Sequence, residues 1–216
     1  MKTTRLLLLL LLCSAQLLAQ DLGPTRLGLR GGYQAGFAAF KLPSSQATNL
    51  HHGGYAGIFL KIPFDNHLFF KPVMDVAYRG MDVKEPVANQ FSRINELQWR
   101  VAPLLQIDFT YPATGKGTWF VHFGPSIGFG LSGQQTKQSG SNQPESRSLR
   151  YGYQAYGRYD ASAHVGLGYE GAGGMQLHVD YNHGLSNMIN TELGPSLKYR
   201  SVSLGLALSV GGKKGR

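Results

Sequence analysis

Apolar and polar positions alternate with a period of two along most of this chain, and the pattern is longest near the middle. There, one face carries the odd-numbered apolar residues from Leu97 to Ile107, and the other carries polar or charged residues such as Glu96, Arg100 and Asp108. Strict alternation indicates a β-strand. A strand in a soluble protein is usually about 5 to 6 residues long, whereas a tilted strand that crosses a bilayer needs about 9 to 11. The pattern therefore predicts membrane-spanning strands.

The same alternation marks eight segments, and the connections between them are alternately short and long. Outer-membrane barrels have an even number of antiparallel strands, short periplasmic turns and longer external loops. We therefore predict an all-β fold, an eight-stranded antiparallel up-and-down transmembrane β-barrel with periplasmic termini. Residues 134–148, rich in Gln and Ser, are predicted to form a mobile external loop. The predicted strands cover residues 26–40, 54–63, 68–80, 95–110, 118–132, 158–170, 174–185 and 198–210.

The first residues have the order of regions found in a secretory signal. Lys2 and Arg5 precede a leucine run, which is followed by small and polar residues. This order predicts a signal peptide at residues 1–19, cleaved after Ala19, and a single barrel domain at residues 20–216. An uncleaved anchor and acylation at Cys13 are alternatives, but the leucine run is shorter than the roughly 20 apolar residues of a membrane helix, and Leu12 stands where an acylation site needs a small residue. Cleavage would also remove the only cysteine.

Composition restricts the partners of the chain. The formal charge is +9, of which the predicted signal carries two, so the mature chain is basic at +7. A basic envelope protein suits contact with outer-membrane lipid and lipopolysaccharide, whereas the absence of a basic helix and the predicted export argue against nucleic acid. We also expect a monomeric barrel, an envelope or secretion-complex protein as an additional partner, and no cofactor.

Alternation alone does not decide which face points inward, because a soluble sandwich or barrel also alternates. Glycine is about twice as frequent as usual, at 29 of 216 residues. Many of these glycines share the polar face with charged residues, which suits a narrow lumen enclosed by eight strands. Aromatic residues near the strand ends of the apolar face suggest a membrane girdle. These are Trp99, Phe109, Tyr111, Trp119, Tyr159, Tyr169 and Tyr181.

Four segments together resemble a known family. The chain reads Leu27-Gly-Leu-Arg-Gly-Gly, Trp99-Arg-Val-Ala-Pro-Leu-Leu-Gln-Ile, His122-Phe-Gly-Pro-Ser-Ile-Gly-Phe-Gly-Leu and Val179-Asp-Tyr-Asn-His-Gly-Leu-Ser-Asn. In this order they resemble the small outer-membrane β-barrel family that includes the PorT-type proteins. The resemblance implies an eight-stranded barrel in the Gram-negative outer membrane, with some members attached to secretion machinery. The chain departs from the pattern at its end, where Val210-Gly-Gly-Lys-Lys-Gly-Arg replaces a final aromatic residue.

If the polar face points inward, the lumen receives charged residues in equal numbers of each sign. An unpaired charge inside the barrel would cost several kcal/mol, so the balance predicts an ion-pair network that fills the lumen. A substrate or proton path is the alternative, and it would favour an excess of one sign. The predicted network comprises Arg30, Lys61, Lys71, Arg79, Arg100 and Arg158 with Asp75, Glu96, Asp108, Asp160, Glu170 and Asp180.

Histidines provide the weak candidates for metal binding. His122, His164 and His178 fall on the inward face of three consecutive predicted strands. Imidazole nitrogen is a common zinc ligand, but hydrogen bonds to lumen carboxylates are the favoured interpretation, so no metal is predicted.

Catalysis is not predicted either. Nothing in the spacing brings a nucleophile, a base and an orienting group together. The candidates for a lipid-modifying site would be His183, Ser186 and Asp160, or Asp82 with His52. The predicted function is a non-catalytic outer-membrane barrel with a structural, adhesion or secretion-associated role carried by its external loops. A soluble periplasmic ligand-binding barrel and a lipid-modifying barrel enzyme are the alternatives.

Overall fold

The computed structural model describes residues 24–40, 47–85, 90–110, 117–139, 143–152, 156–188 and 197–210. Ten strands are present in this part of the chain. They are β1 (Arg26–Phe40), β2 (Ala47–Asn49), β3 (His51–Pro63), β4 (Leu68–Glu85), β5 (Gln90–Asp108), β6 (Thr118–Ser139), β7 (Glu145–Ser148), β8 (Tyr159–Glu170), β9 (Met175–Gly184) and β10 (Leu197–Val210). Among the described residues, no helix has the length and apolar character needed to cross a membrane.

Eight of these strands close into an antiparallel barrel. Neighbours in the barrel follow the chain order β1, β3, β4, β5, β6, β8, β9 and β10, and β10 pairs with β1 to complete the circle. The short strands β2 and β7 add to the ends of β4 and β6. All eight strands predicted from the alternation are present, and the predicted fold class is confirmed.

The two faces of the wall differ sharply in polarity. In β9, buried Gln176, His178 and Asp180 alternate with exposed Leu177 and Val179. The same alternation in the other strands leaves a broad apolar wall facing outward, which no soluble protein of this size would present to water. The polar face therefore points into the lumen. The outward apolar wall excludes the alternative of a soluble barrel.

Aromatic side chains stand on the outward face. Trp119 and Tyr169 contact each other edge to face with ring centroids 5.4 Å apart, close to the short turns. Tyr159 is 68% exposed at the opposite end of the barrel. Trp99 and Phe109 are also exposed. Such residues occupy the interfaces of transmembrane barrels.

The strands extend further at the long-loop end than the alternation indicated. Strand β5 has 19 residues and β6 has 22, and β6 continues into a hairpin with β7 that covers most of residues 134–148. The prediction that this segment is a loop was wrong for residues 134–139 and 145–148, which form paired strands. The hairpin is polar on both faces, so it carries no apolar alternation, but its backbone pairing continues the ladder of the barrel wall.

Glycines make room for the large side chains inside the barrel. A Cβ atom at Gly168 would collide with the ring of Phe120, and one at Gly28 would collide with the ring of Phe59. Phe59 and Phe120 are almost completely buried. Side chains thus fill the lumen, as the small diameter of an eight-stranded barrel requires. Several predicted features, the signal peptide at 1–19, Tyr111 and the basic tail at 211–216, lie outside the described residues.

Candidate functional site

The lumen contains a chain of buried ion pairs, and its first group lies near the short turns. The ammonium of Lys61 is 2.8 Å from Asp108 Oδ2 and 2.7 Å from Glu170 Oε2. Gln176 Nε2 donates to Glu170 Oε2 at 3.0 Å, and its Oε1 accepts a hydrogen bond from Lys71 Nζ at 2.9 Å. Because these residues come from β3, β4, β5, β8 and β9, the group ties together strands on opposite sides of the barrel.

A second group surrounds Asp180 on β9. Arg30 Nη2 lies 2.9 Å from Asp180 Oδ2, and His122 Nε2 lies 2.9 Å from Asp180 Oδ1. His164 Nε2 is 3.3 Å from His122 Nε2. His178 Nε2 is 3.6 Å from Asp180 Oδ2. The fold therefore gathers all three histidines that the sequence placed on the inward face around one carboxylate.

A third group lies towards the long-loop end. Arg79 bridges two carboxylates, because its Nη2 is 2.8 Å from Glu96 Oε2 and its Nη1 contacts Asp160 Oδ2. On the same pair of strands, Arg100 Nε lies 2.7 Å from Asp75 Oδ1. All five side chains are at most 14% exposed. The group lies in the half of the lumen nearer the long loops.

A loop residue completes this third group. Tyr151 donates a hydrogen bond from its hydroxyl to Glu96 Oε1 at 3.1 Å. Burial and the neighbouring Glu96 carboxylate raise the pKa of Tyr151 above its usual range, so the hydroxyl keeps its proton. Because the phenol is a donor and not an anion, it supports the carboxylate that Arg79 also binds.

Arg158, predicted to join the network, lies elsewhere. Its side chain is at the exposed start of β8, where Nε donates to the carbonyl oxygen of Gly130 at 3.2 Å and the guanidinium covers the ring of Phe129. The strand begins one residue later, so alternation did not fix the direction of this side chain.

One further ion pair was missed by the sequence reasoning. Asp82 is buried at the long-loop end of β4, where both of its oxygens lie 2.9 Å from the guanidinium of Arg93, and His51 Nδ1 is 3.3 Å from Oδ1. The register of the hairpin, in which Asp82 faces Arg93, would have revealed the pair.

The residues considered for catalysis do not form a nucleophilic site. The hydroxyl of Ser186 donates directly to Asp160 Oδ1 at 2.9 Å, so the carboxylate contacts the hydroxyl instead of orienting a histidine. His183 pairs with the hydroxyl of Tyr181 at 3.2 Å. Asp82 binds Arg93, and His52 contacts Tyr33 on the outer wall. A serine nucleophile is typically activated by a histidine base. Here the Asp160 carboxylate is already bound by Arg79, and His183 contacts Tyr181 instead of Ser186.

Two small cavities lie among these groups. One is lined by residues that include Arg79, Gln98 and Tyr199, and the next by residues that include Arg30 and His164. Each has a volume of about 10 Å³, enough for roughly one water molecule. Within the described part of the chain, the buried side-chain amide of Gln98 has no protein hydrogen-bond partner. A water in the first cavity would satisfy it.

A closed antiparallel barrel with an apolar outer wall, aromatic residues at both ends and a charged, filled interior defines a transmembrane β-barrel of the outer-membrane class. The profile of the outer membrane protein beta-barrel domain family matches residues 15–190. The chain belongs to this family, and it is a protein of the cell outer membrane.

Solved structures with a similar fold come from the same class. Ail, the attachment invasion locus protein of Yersinia pestis, is 14% identical with a TM-score of 0.46, and the match covers 86% of this chain and 98% of that one. OprG from Pseudomonas aeruginosa is 10% identical with a TM-score of 0.47, covering 88% and 98%. The outer membrane enzyme PagL is 15% identical with a TM-score of 0.42, covering 84% and 99%. No curated protein sequence matches the chain.

Proposed function

We propose that this protein is a non-catalytic, non-conducting outer-membrane barrel that presents a contact surface for an envelope or external partner at its long-loop end. The observation that carries the proposal is the length of β6. This strand has 22 residues, about twice the 9 to 11 that a tilted strand needs to cross a bilayer. The excess continues into the hairpin with β7, which is polar and exposed.

The filled lumen supports the non-conducting part of the proposal. Eight-stranded barrels have an interior that side chains can fill, whereas open porins use about 16 to 18 strands. Here the buried ion pairs and the rings of Phe59 and Phe120 occupy that interior. Ser186 contacts a carboxylate, Asp160, that Arg79 already binds, and this supports the non-catalytic part. His183 contacts Tyr181 instead of Ser186. The remaining surface available for specific recognition is the set of segments beyond the wall.

Lipopolysaccharide is the proposed lipid partner, and a basic patch on β10 supports it. Lys198 and Arg200 alternate with buried Tyr199 and Ser201, so they face outward near the long-loop end of the strand. Cationic side chains at this height suit anionic head groups. Replacing both by Gln should reduce the lipopolysaccharide that copurifies with the barrel in native mass spectrometry. Unchanged retention would exclude this patch as the contact.

Site-specific photocrosslinking in intact cells tests the hairpin. A photoreactive residue at Lys137 or Ser146, both exposed in the hairpin, should give a protein adduct of discrete mass. The matched control is Leu206, which is 57% exposed on the outer wall and should label lipid only. No adduct from either hairpin position, or the same adduct from Leu206, would overturn the proposed contact surface. Hydrolysis of lipid by the purified barrel would overturn the non-catalytic assignment independently.

A further inference from the structure

The ligands around Asp180 have the spacing of a metal site. His122 Nε2 lies 2.9 Å from Asp180 Oδ1 and 3.3 Å from His164 Nε2, and His164 Nε2 lies 3.7 Å from Asp180 Oδ2. Zinc binds imidazole and carboxylate at about 2.0 to 2.2 Å in tetrahedral geometry, which places two of its ligands roughly 3.3 Å apart. We propose that His122, His164 and Asp180 bind one transition-metal cation of the zinc class inside the barrel.

The tautomer of His164 fits this role. Its Nδ1 is 2.8 Å from Asn182 Oδ1, an acceptor, so Nδ1 carries the proton and donates it. The amide of Asn182 is oriented by its own Nδ2, which donates to Ser201 Oγ at 3.4 Å. The lone pair of His164 is therefore on Nε2, the atom that faces His122 and Asp180. A hydrogen bond from the distal ring nitrogen is the usual support of a metal-binding histidine.

The surroundings of Asp180 keep the carboxylate charged, which a metal ligand requires. Arg30 Nη2 binds Oδ2 at 2.9 Å, while Oδ1 faces His122. The same guanidinium repels a divalent cation, so the site should bind more weakly than one with no cation nearby. Replacing Arg30 by Gln should therefore tighten metal binding, which a role of the histidines in hydrogen bonding alone does not predict.

A fourth ligand position is available. A cavity of about 10 Å³ adjoins the site and is lined by residues that include Arg30, His164 and Asn182. This volume fits about one water molecule. Three protein ligands with a water as the fourth is a set that zinc accepts. His178 stays outside the set, because its Nε2 is 2.9 Å from the hydroxyl of Tyr55.

Cobalt(II) is the probe for the first test, because its visible absorption reports tetrahedral coordination. The untagged mature protein is refolded in detergent, treated with a chelator and titrated with Co²⁺, and Zn²⁺ is then added. We expect one Co²⁺ per barrel, a tetrahedral absorption band, and displacement of the cobalt by Zn²⁺. The absence of a stoichiometric band from the unmodified barrel overturns the proposal without any variant.

Variants assign the binding to these ligands. His122→Gln and His164→Gln should each abolish the cobalt band, and Asn182→Ala should weaken binding by about 10- to 100-fold, the effect of losing a supporting hydrogen bond. His52→Gln and His183→Gln are matched controls, because these rings contact Tyr33 and Tyr181 and not the site. Gel mobility before and after boiling verifies that each barrel is closed. Equal binding by closed His122→Gln and His164→Gln barrels would overturn the site, as would loss of binding in the controls.

Discussion

Arg79 is the residue whose loss should destabilise the barrel most clearly. Its guanidinium bridges Glu96 and Asp160 and lies 4.5 Å above the ring of Tyr199, and its side chain is only 3% exposed. The substitution Arg79→Met keeps much of the apolar volume but removes the charge. The two buried carboxylates of Glu96 and Asp160 are then left without their shared cation. Each keeps one neutral hydrogen-bond donor, the hydroxyl of Tyr151 for Glu96 and the hydroxyl of Ser186 for Asp160.

The expected cost follows from the burial of the partners. Removing one member of a buried ion pair destabilises a protein by about 3 to 5 kcal/mol, since the remaining charge is left without compensation. Glu96 and Asp160 are 2% and 7% exposed at their side chains, so the penalty should apply in full. We therefore expect the folding equilibrium constant to fall by roughly two to three and a half orders of magnitude.

Reversible urea unfolding of the barrel in lipid vesicles provides the measurement, with tryptophan fluorescence as the signal. The matched control is Arg147→Met, because Arg147 is an exposed arginine of the hairpin whose guanidinium donates to the neutral side chain of Gln135 and leaves no buried charge behind. A surface substitution of this kind changes the free energy of unfolding by about 0.5 kcal/mol or less. If Arg79→Met costs no more than Arg147→Met, the buried ion pairs do not stabilise the barrel. A triple variant that also carries Glu96→Gln and Asp160→Asn should recover part of the loss.

Three further predictions concern the lumen and the topology. The purified protein in a planar bilayer should show no steady conductance, because side chains fill the lumen; reproducible single-channel steps would contradict this. Gly166→Ala should lower the urea midpoint, since its Cβ would collide with Asp180 Oδ1 and His122 Nε2, whereas Gly173→Ala, with open space around the new atom, should not; equal midpoints would show that the lumen adapts. A membrane-impermeant maleimide should label Ser146→Cys in whole cells but leave Asn66→Cys unlabelled, because Ser146 lies at the long-loop end and Asn66 in a short turn; the reverse result would invert the predicted topology.

Alternation was sufficient to predict the strands and the direction of most side chains. In β8 and β9, apolar residues such as Leu167 and Val179 face outward, while Gly166 and Asp180 face inward. Successive side chains of a strand point to opposite faces. The place of a residue in the alternation therefore indicates whether its side chain faces the lumen or the lipid. At the long-loop end the strands leave the bilayer, and polar residues are then acceptable on both faces. The pattern ends there although the backbone pairing continues through Ser139.

The ion pairs in the lumen are of two kinds. Some join neighbouring strands of one hairpin and can be predicted from its register, whereas others join strands that do not pair with each other. Arg79 faces Glu96, and Asp75 faces Arg100, in the register of the β4–β5 hairpin. A sequence analysis that fixed this register would have found both pairs from neighbouring strands. The contact between Lys61 and Glu170 joins β3 to β8, which do not pair with each other. Such contacts depend on the closure and stagger of the whole barrel, which local periodicity does not specify.

The contacts around Asp180 differ in the strand pairings that must form before them. Pairs within one hairpin can form as soon as the hairpin does, whereas Arg30 on β1 reaches Asp180 on β9 only after β10 has joined β1. His122 on β6 and His164 on β8 approach Asp180 through the β6–β8 and β8–β9 pairings, and need no contact with β1. The metal ligands thus come from three consecutive strands and the opposing charge from the strand that closes the barrel. A cation bound at His122, His164 and Asp180 would therefore stabilise the sheet of β6, β8 and β9 before the barrel closes. Closure would then place Arg30 beside Asp180, so that the cation and the guanidinium contact the same carboxylate.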